Sequence, residues 1–423
     1  MTSACRTTEP YEISHSPAYG ERSSDRIPGV STVMKKEHRT LLAIVQLPPP
    51  VYGVSIMNEV VVKSPAVRSL FDIDVLPLRF GKSFASLGRL KLRKVILALG
   101  LVLRLWLKCA IKRPGLAYFT IAPVGGAFYR DLMFVAVLRI LRIPVLFHLH
   151  GKGVKLAARF RLNRLLYQWV FNRATVIHLS PRLFPDISQF VPASRCFFLA
   201  NGVRDPGETA IIARRQSTGD PVHLLFLSHM VLEKGPIVML RALRILLERG
   251  VPCRASFAGA WHDRECARQF AMLVRRDGLA ERVSYLGPKY GTEKECLLAA
   301  ADVFVFPTFY ASESFPQVVL EAMSFALPVV STPEGAIPDM VEDGVTGFLV
   351  PQRDEAALAD RLETLVLQPG LRTMMGQKGR ERFLDRFTVG LFEKHLCSIL
   401  ESAFPAEPQV KGRAVRGHER AIL

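Results

Sequence analysis

Short, almost wholly apolar β-prone runs alternate with longer helical stretches, and the alternation happens twice. The first set is "LLAIVQL" (41–47), "IDVLPL" (73–78), "AYFTIA" (117–122), "PVLFHLH" (144–150), "TVIHLS" (175–180) and "CFFLA" (196–200). Helical stretches fall at 89–112, 128–142, 155–172 and, more weakly, 182–190. The second set is "VHLLFLS" (222–228), "RASFAG" (254–259), "VSYLG" (283–287), "DVFVFP" (302–307), "PVVST" (328–332) and "GFLVP" (347–351), with helices expected at 235–250, 263–278, 293–300, 315–326 and 354–367. A strand that is apolar along its whole length must be covered on both faces, which implies a parallel sheet between helical layers. The chain therefore reads as α/β, with two Rossmann-like, doubly wound parallel-sheet domains in tandem. Ligands of such sheets lie beyond the carboxyl ends of the strands, so the expected site is the interdomain cleft.

The expected boundaries are a tail at 1–38, a first domain at 39–205, a linker at 206–220, a second domain at 221–385, a terminal helix at 386–404 returning to the first domain, and a basic tail at 405–423. The 423 residues suffice for two cores of this kind. The seven cysteines are scattered without a CxxC pair, which argues against a disulfide framework or zinc site and for a reducing compartment. Residues 1–38 are polar and lack the apolar core of a secretory leader.

Charge is divided unevenly. Residues 1–205 hold 30 Lys/Arg against 11 Asp/Glu, and residues 206–423 hold 26 against 27. Between Asp74 and Asp186 the only acid is Asp131. Such a one-sided field implies an anionic partner for the first half. The segment 79–113 carries ten Lys/Arg and no acid around the nine-residue run "VILALGLVL" (95–103). That run is too short to span a bilayer but suits its interface, with cations on anionic headgroups; the alternative is a helix packed on its own domain with a basic outer face. No aromatic–basic RNA motif or recognition-helix signature accompanies the charge, so no nucleic-acid partner is expected.

Several strand ends carry residues suited to a ligand. "QLPPPVYGVS" (46–55) places Gly53 and Ser55 after the first strand, where a glycine admits close backbone approach. Gly125 and Gly126 follow the third strand, either as a plain βα turn or as a second such approach. His148 and His150 end the fourth strand on one face, and Gly151 marks the turn beyond His150. Lys234 and Gly235 stand at the entrance of a helix, where backbone N–H groups and an ammonium together suit a phosphate. Neither a GxxxxGK[ST] loop nor a GxGxxG loop is present. In "ASESFPQVVLEAMSF" (311–325), Ser314 and Gln317 have capping-box spacing and Pro316 suits a first turn. Glu313 then lies just outside the helix and Glu321 two turns in, with carboxylates ready to accept hydrogen bonds from hydroxyls. Carboxylates beside a phosphate-binding helix end suit a ligand that is both sugar and phosphate.

Taken in order, EKG (233–235), ADVFVFPT (301–308), the E-x7-E pair Glu313/Glu321, LEAM (320–323), PVVST (328–332) and DGVTGFLV (343–350) resemble the family 4 retaining glycosyltransferases of the GT-B fold. The strong resemblance covers about 225–352; the first domain adds PPP-x-x-G, HG at 150–151 and NG at 201–202. It implies transfer of a sugar from a nucleotide diphosphate sugar to a glycan or lipid-linked acceptor, with retention and without a metal or other cofactor. It implies catalytic roles for Glu313 at the donor sugar, His150 near the anomeric centre and Lys234 at the pyrophosphate. It implies donor binding by Glu321 at the ribose hydroxyls, by Ser314 and Phe315, and by His229, Gly235 and Asn201. Gly53, Ser55, Gly125 and Gly126 would form the acceptor side. The sequence departs from the pattern in three places: Ser228-His229 replaces a Gly-Arg pair, Pro316 a glycine and Val54 a second glycine. The expected biology is cell-envelope polysaccharide or lipopolysaccharide synthesis at the cytoplasmic membrane face. The other reading is a GT-B protein without catalysis that binds membrane or glycan through its basic half.

Overall fold

A computed structural model describes residues 39–78, 92–208 and 221–405. The expected tail 1–38, residues 79–91 of the basic segment, most of the linker and nearly all of 405–423 lie outside the described residues.

The first sheet contains β1 (Thr40–Val45), β2 (Asp72–Pro77), β3 (Leu116–Phe119), β4 (Val145–Leu149), β5 (Thr175–His178) and β6 (Cys196–Phe198). All pairings are parallel, in the order β2-β1-β3-β4-β5-β6. In β1, Leu42 and Ile44 enter one core, while Leu41, Ala43 and Val45 enter the other. Alternation along an apolar strand thus feeds two buried faces. One face is covered by helices Leu92–Ile111, Gly125–Ile140 and Arg161–Phe171, the other by Gly53–Lys63 and Pro65–Leu70.

The second sheet contains β7 (Val222–Leu227), β8 (Cys253–Ala258), β9 (Val283–Gly287), β10 (Val303–Phe306), β11 (Val329–Ser331) and β12 (Gly347–Leu349), all parallel, in the order β12-β11-β10-β7-β8-β9. It has a separate core. The terminal helix Val389–Ala403 packs Phe392, Leu396, Ile399 and Leu400 among first-domain residues, and Phe404 stacks on Phe71 with ring centroids 4.8 Å apart.

Three local expectations are corrected. The stretch 155–172 is a short helix Val154–Ala157 followed by Arg161–Phe171, and 182–190 is a 3-10 turn at Pro181–Asp186. The capping box at Ser314 and Gln317 does not form. Helix Gln317–Ser324 starts after Pro316 without a side-chain cap, and Glu321 lies little more than one turn in. Both candidate capping side chains bond across the cleft instead, as the site geometry makes plain.

Candidate active site between the domains

The carboxyl ends of the two sheets face a cavity of about 510 Å³. The first domain contributes Tyr52, Gly53, Val54, His150 and Asn201 to its lining; the second contributes Ser228, His229, Lys234, Lys294, Tyr310, Glu313, Ser314, Phe315 and Glu321. Sequence-separated candidates are thereby brought into one space. Ser55, Gly125, Gly126 and Gly235 do not line it. Ser55 is buried in the first turn of its helix and donates to the Pro50 carbonyl at 2.8 Å. Gly125 and Gly126 open helix Gly125–Ile140. Gly235 joins Lys234 to helix Pro236–Glu248 with φ +88°, and a Cβ there would stand 2.2 Å from the Pro307 carbonyl oxygen. Its glycine therefore serves a close backbone crossing beside the site.

Two carboxylates, each with its own lysine, define the second-domain wall. The Lys234 ammonium bonds the Glu313 carboxylate, and both side chains are largely shielded from solvent. The ammonium also sits 4.7 Å from the Tyr310 ring centroid, a cation–π contact that fixes it further. Glu321 accepts from Lys294 at 2.6 Å through Oε1, while its Oε2 is buried without a hydrogen-bond partner. Burial raises the Glu321 pKa against the opposing pull of Lys294. Glu313 thus sits at the tip of the β10 loop and Glu321 on the helix behind it.

The histidines are neutral. His229 stands in the loop after β7, its ring 4.5 Å from that of His262. Burial first, then His262 and Lys234, lowers it to about 4, so at neutral pH it is a hydrogen-bonding group rather than a cation. His150, just past β4, is pushed down to about 3 by burial and by His178. Its ring lies 4.0 Å from that of His148, whose Nδ1 meets the Tyr118 hydroxyl at 2.6 Å. The Nε2 atoms of His148, His150 and His178 are all buried without a hydrogen-bond partner.

Side-chain contacts between the domains tie the walls together, among them the bond from Ser180 to the Asp339 carboxylate. Ser314 Oγ donates to the His150 carbonyl at 2.7 Å, and Gln317 Nε2 approaches the Gly53 carbonyl at 3.4 Å. Lys152 pairs with Glu334, and Arg182 with Asp339 at 2.6 Å. Lys294, Lys152, Glu334, Tyr310 and His178 were not singled out by sequence. Lys294, Lys152 and Tyr310 meet their partners Glu321, Glu334 and Lys234 only across long sequence separations, and no local spacing marks them. Among the described residues no group of three or more His, Cys, Asp or Glu side chains could hold a metal ion.

Comparison with known proteins bears on the second domain most directly. Residues 208–382 match the family model described as glycosyl transferases group 1. The chain is 29% identical over 233 residues to a D-inositol 3-phosphate glycosyltransferase of Corynebacterium kroppenstedtii, an alignment covering 53% of this chain and 48% of that protein. It is 28% identical over 298 residues to the putative colanic acid biosynthesis glycosyltransferase WcaL of Escherichia coli, covering 68% of this chain and 70% of the relative. The chain thus spans about half the length of the first of these curated relatives. Among solved structures, Anabaena Alr3699/HepE in complex with UDP superposes with a TM-score of 0.67 at 20% identity, over 86% of this chain and all of that one. Sucrose-phosphate synthase from Thermosynechococcus elongatus gives 0.66 at 18%, over 86% and 99%. The chain has the GT-B fold, and its second domain carries the match to the group 1 glycosyl transferases.

Proposed function

We propose that the protein is a retaining glycosyltransferase of family 4 type, moving a sugar from a nucleotide diphosphate sugar to a glycan or lipid-linked acceptor in envelope polysaccharide synthesis. The observation that carries this reading is the pairing of Glu313 with Lys234 on the wall of the interdomain cavity. A lysine there neutralises charge growing on a departing diphosphate. A carboxylate bonded to it is poised to accept hydrogen bonds from the donor sugar. Glu321 has one oxygen held by Lys294 and one open, which suits the ribose hydroxyls of the nucleotide. His229, neutral, would donate a hydrogen bond to a phosphate oxygen, and the unpartnered Nε2 of His150 would meet the sugar or acceptor.

Among the described residues no further carboxylate lines the cavity besides Glu313 and Glu321, so front-face displacement is the mechanism we favour, with no step assigned to a metal. The anomeric C–O bond to the diphosphate breaks, the acceptor oxygen bonds the same face, and the acceptor proton passes to the departing phosphate oxygen. The contacts tying the walls together support exclusion of water during this step.

The charge asymmetry of the first half supports work at an anionic membrane surface on the cytoplasmic side. Helix Leu92–Ile111 exposes Ile96, Leu99, Leu103, Trp106 and Ile111 beside Arg104 and Lys112, and no helix among the described residues is long and apolar enough to cross a membrane. Thermal-shift screening with nucleotide diphosphates and nucleotide sugars tests the donor reading: stabilisation is expected. If no nucleotide stabilises the protein and Glu313→Gln changes no activity, the assignment falls and non-catalytic binding replaces it.

A further inference from the structure

A second cavity, of about 470 Å³, lies beside the first on the first-domain side. His150 lines the cleft and Lys152 lines the second cavity; Tyr310 and Ser312 line the cleft and Ala311 between them lines the second. The two spaces are therefore separated by little more than those two chain segments.

The second cavity is cationic. Lys152, Lys155, Arg159 and Arg164 line it, with Asp186 as the one acid. Lys152 pairs with Glu334. Asp186 accepts from the Gly153, Val154 and Lys155 amides at 2.8, 3.0 and 3.0 Å, so its carboxylate is committed to the backbone. The side chains of Lys155, Arg159 and Arg164 have no ion pair or hydrogen bond among the described residues. Three cations without an ion-pair partner face one space that holds a single carboxylate, and the net positive charge suits an anion.

The rim adds a second property. Leu162, Leu165 and Trp169 recur at i, i+3 and i+7 on helix Arg161–Phe171, and so form one stripe. They are 65%, 62% and 41% exposed, while Tyr167, Val170 and Phe171 fill the core from the other face. Leu156 and Phe160 are also exposed between the cavity's cations. An exposed apolar stripe beside unpaired cations is complementary to an amphiphile with an anionic head.

We propose that the second cavity holds the phosphate or diphosphate of a lipid-anchored acceptor whose apolar chain runs over the Leu162–Leu165–Trp169 stripe. This rests on the glycosyltransferase reading for its meaning, since it places the acceptor's anionic group directly beside the donor cleft. It narrows the acceptor class from glycan or lipid to lipid phosphate.

Calorimetry with monomeric short-chain phosphatidic acid, short-chain phosphatidylcholine and inorganic phosphate tests it on the full chain. The phosphatidic acid binds, the phosphatidylcholine does not, and inorganic phosphate binds more weakly for want of the apolar contact. The variant K155Q/R159Q/R164Q loses about a hundredfold in affinity, a few-fold per cation. R241Q/R244Q/R275Q, which removes the same charge from helical positions of the second domain, keeps wild-type affinity. L162S/L165S weakens phosphatidic acid binding and leaves inorganic phosphate unchanged. Equal losses in the two charge variants, unchanged binding in the cavity variant, or equal affinity for inorganic phosphate and phosphatidic acid each overturn the proposal. If the cavity variant melts early, soluble diphosphate against the wild-type complex replaces it: stronger displacement than by sulfate at equal ionic strength is expected, and equal displacement overturns it. Thermal stabilisation by nucleotide diphosphates is scored separately, and its absence in the wild type sinks the donor reading without touching the lipid one.

Discussion

Each domain is built on a six-stranded parallel sheet, but the two use their cations in opposite ways. In the second domain the lysines facing the cleft are neutralised at home, Lys234 by Glu313 and Lys294 by Glu321. Arg249 likewise meets Asp360 and Glu363. In the first domain, acids are scarce over more than a hundred residues, and the buried Asp131 there is already paired with Arg130. One fold thus serves two electrostatic tasks. A neutral but polar cleft suits selection by hydrogen-bond geometry, whereas an uncompensated basic face suits attraction of anions from a distance.

The contrast is broken most severely at the cleft. Glu313→Gln is expected to reduce sugar transfer by about a hundred- to a thousandfold, the scale of losing one transition-state contact. Measured rates should fall in kcat, with the melting temperature nearly kept; a wild-type rate would mean that Glu313 is only a counter-ion. Replacing Glu321 by Gln should act on donor KM instead, by about tenfold, because its open oxygen is assigned to binding and not to the reacting centre. A drop in kcat alone would contradict that division.

A smaller effect is expected from the backbone beside Lys234. Gly235→Ala forces a side chain onto φ +88° and against the Pro307 carbonyl, at a cost of about 1–3 kcal/mol. Denaturant midpoints would register this, and an unchanged midpoint would show that the crossing relaxes freely.

The smallest effect is a pH slope from the neutral histidines. His150 and His178, ordinarily at 6.5, sit at about 3 and about 4 in the folded protein through burial. Between those values and 6.5 the unfolded chain binds more protons than the folded one, so stability rises with pH across that window. It is complete above 6.5 and is lost as acid approaches the folded values. His178→Asn should flatten the slope of melting temperature against pH between the two limits; an unaltered slope would assign the acid sensitivity elsewhere.

The alternation of apolar runs made both sheets legible, because a strand buried on two faces leaves a continuous apolar signature. The lysine at the helix entrance and the two glutamates were legible by their place after β7 and β10. Their partners were not. Lys294 reaches Glu321 across 27 positions and Lys152 reaches Glu334 across 182, and nothing local in either stretch announces the match. Ser314 and Gln317 were misread for a related reason. Their spacing fits a local cap, but a carbonyl of the other domain competes for the same hydroxyl, and local codes yield to such tertiary partners.

Under the proposed activity, that serine bond would have a kinetic consequence. Ser314 follows Glu313 directly, and its hydroxyl is held by the carbonyl of His150. Any separation of the domains wide enough to let a spent nucleotide leave must first break this bond, next to the groups assigned to the sugar. Turnover would then be timed by a seam rather than by chemistry: Ser314→Ala would hasten departure of the product while loosening the alignment that makes the product.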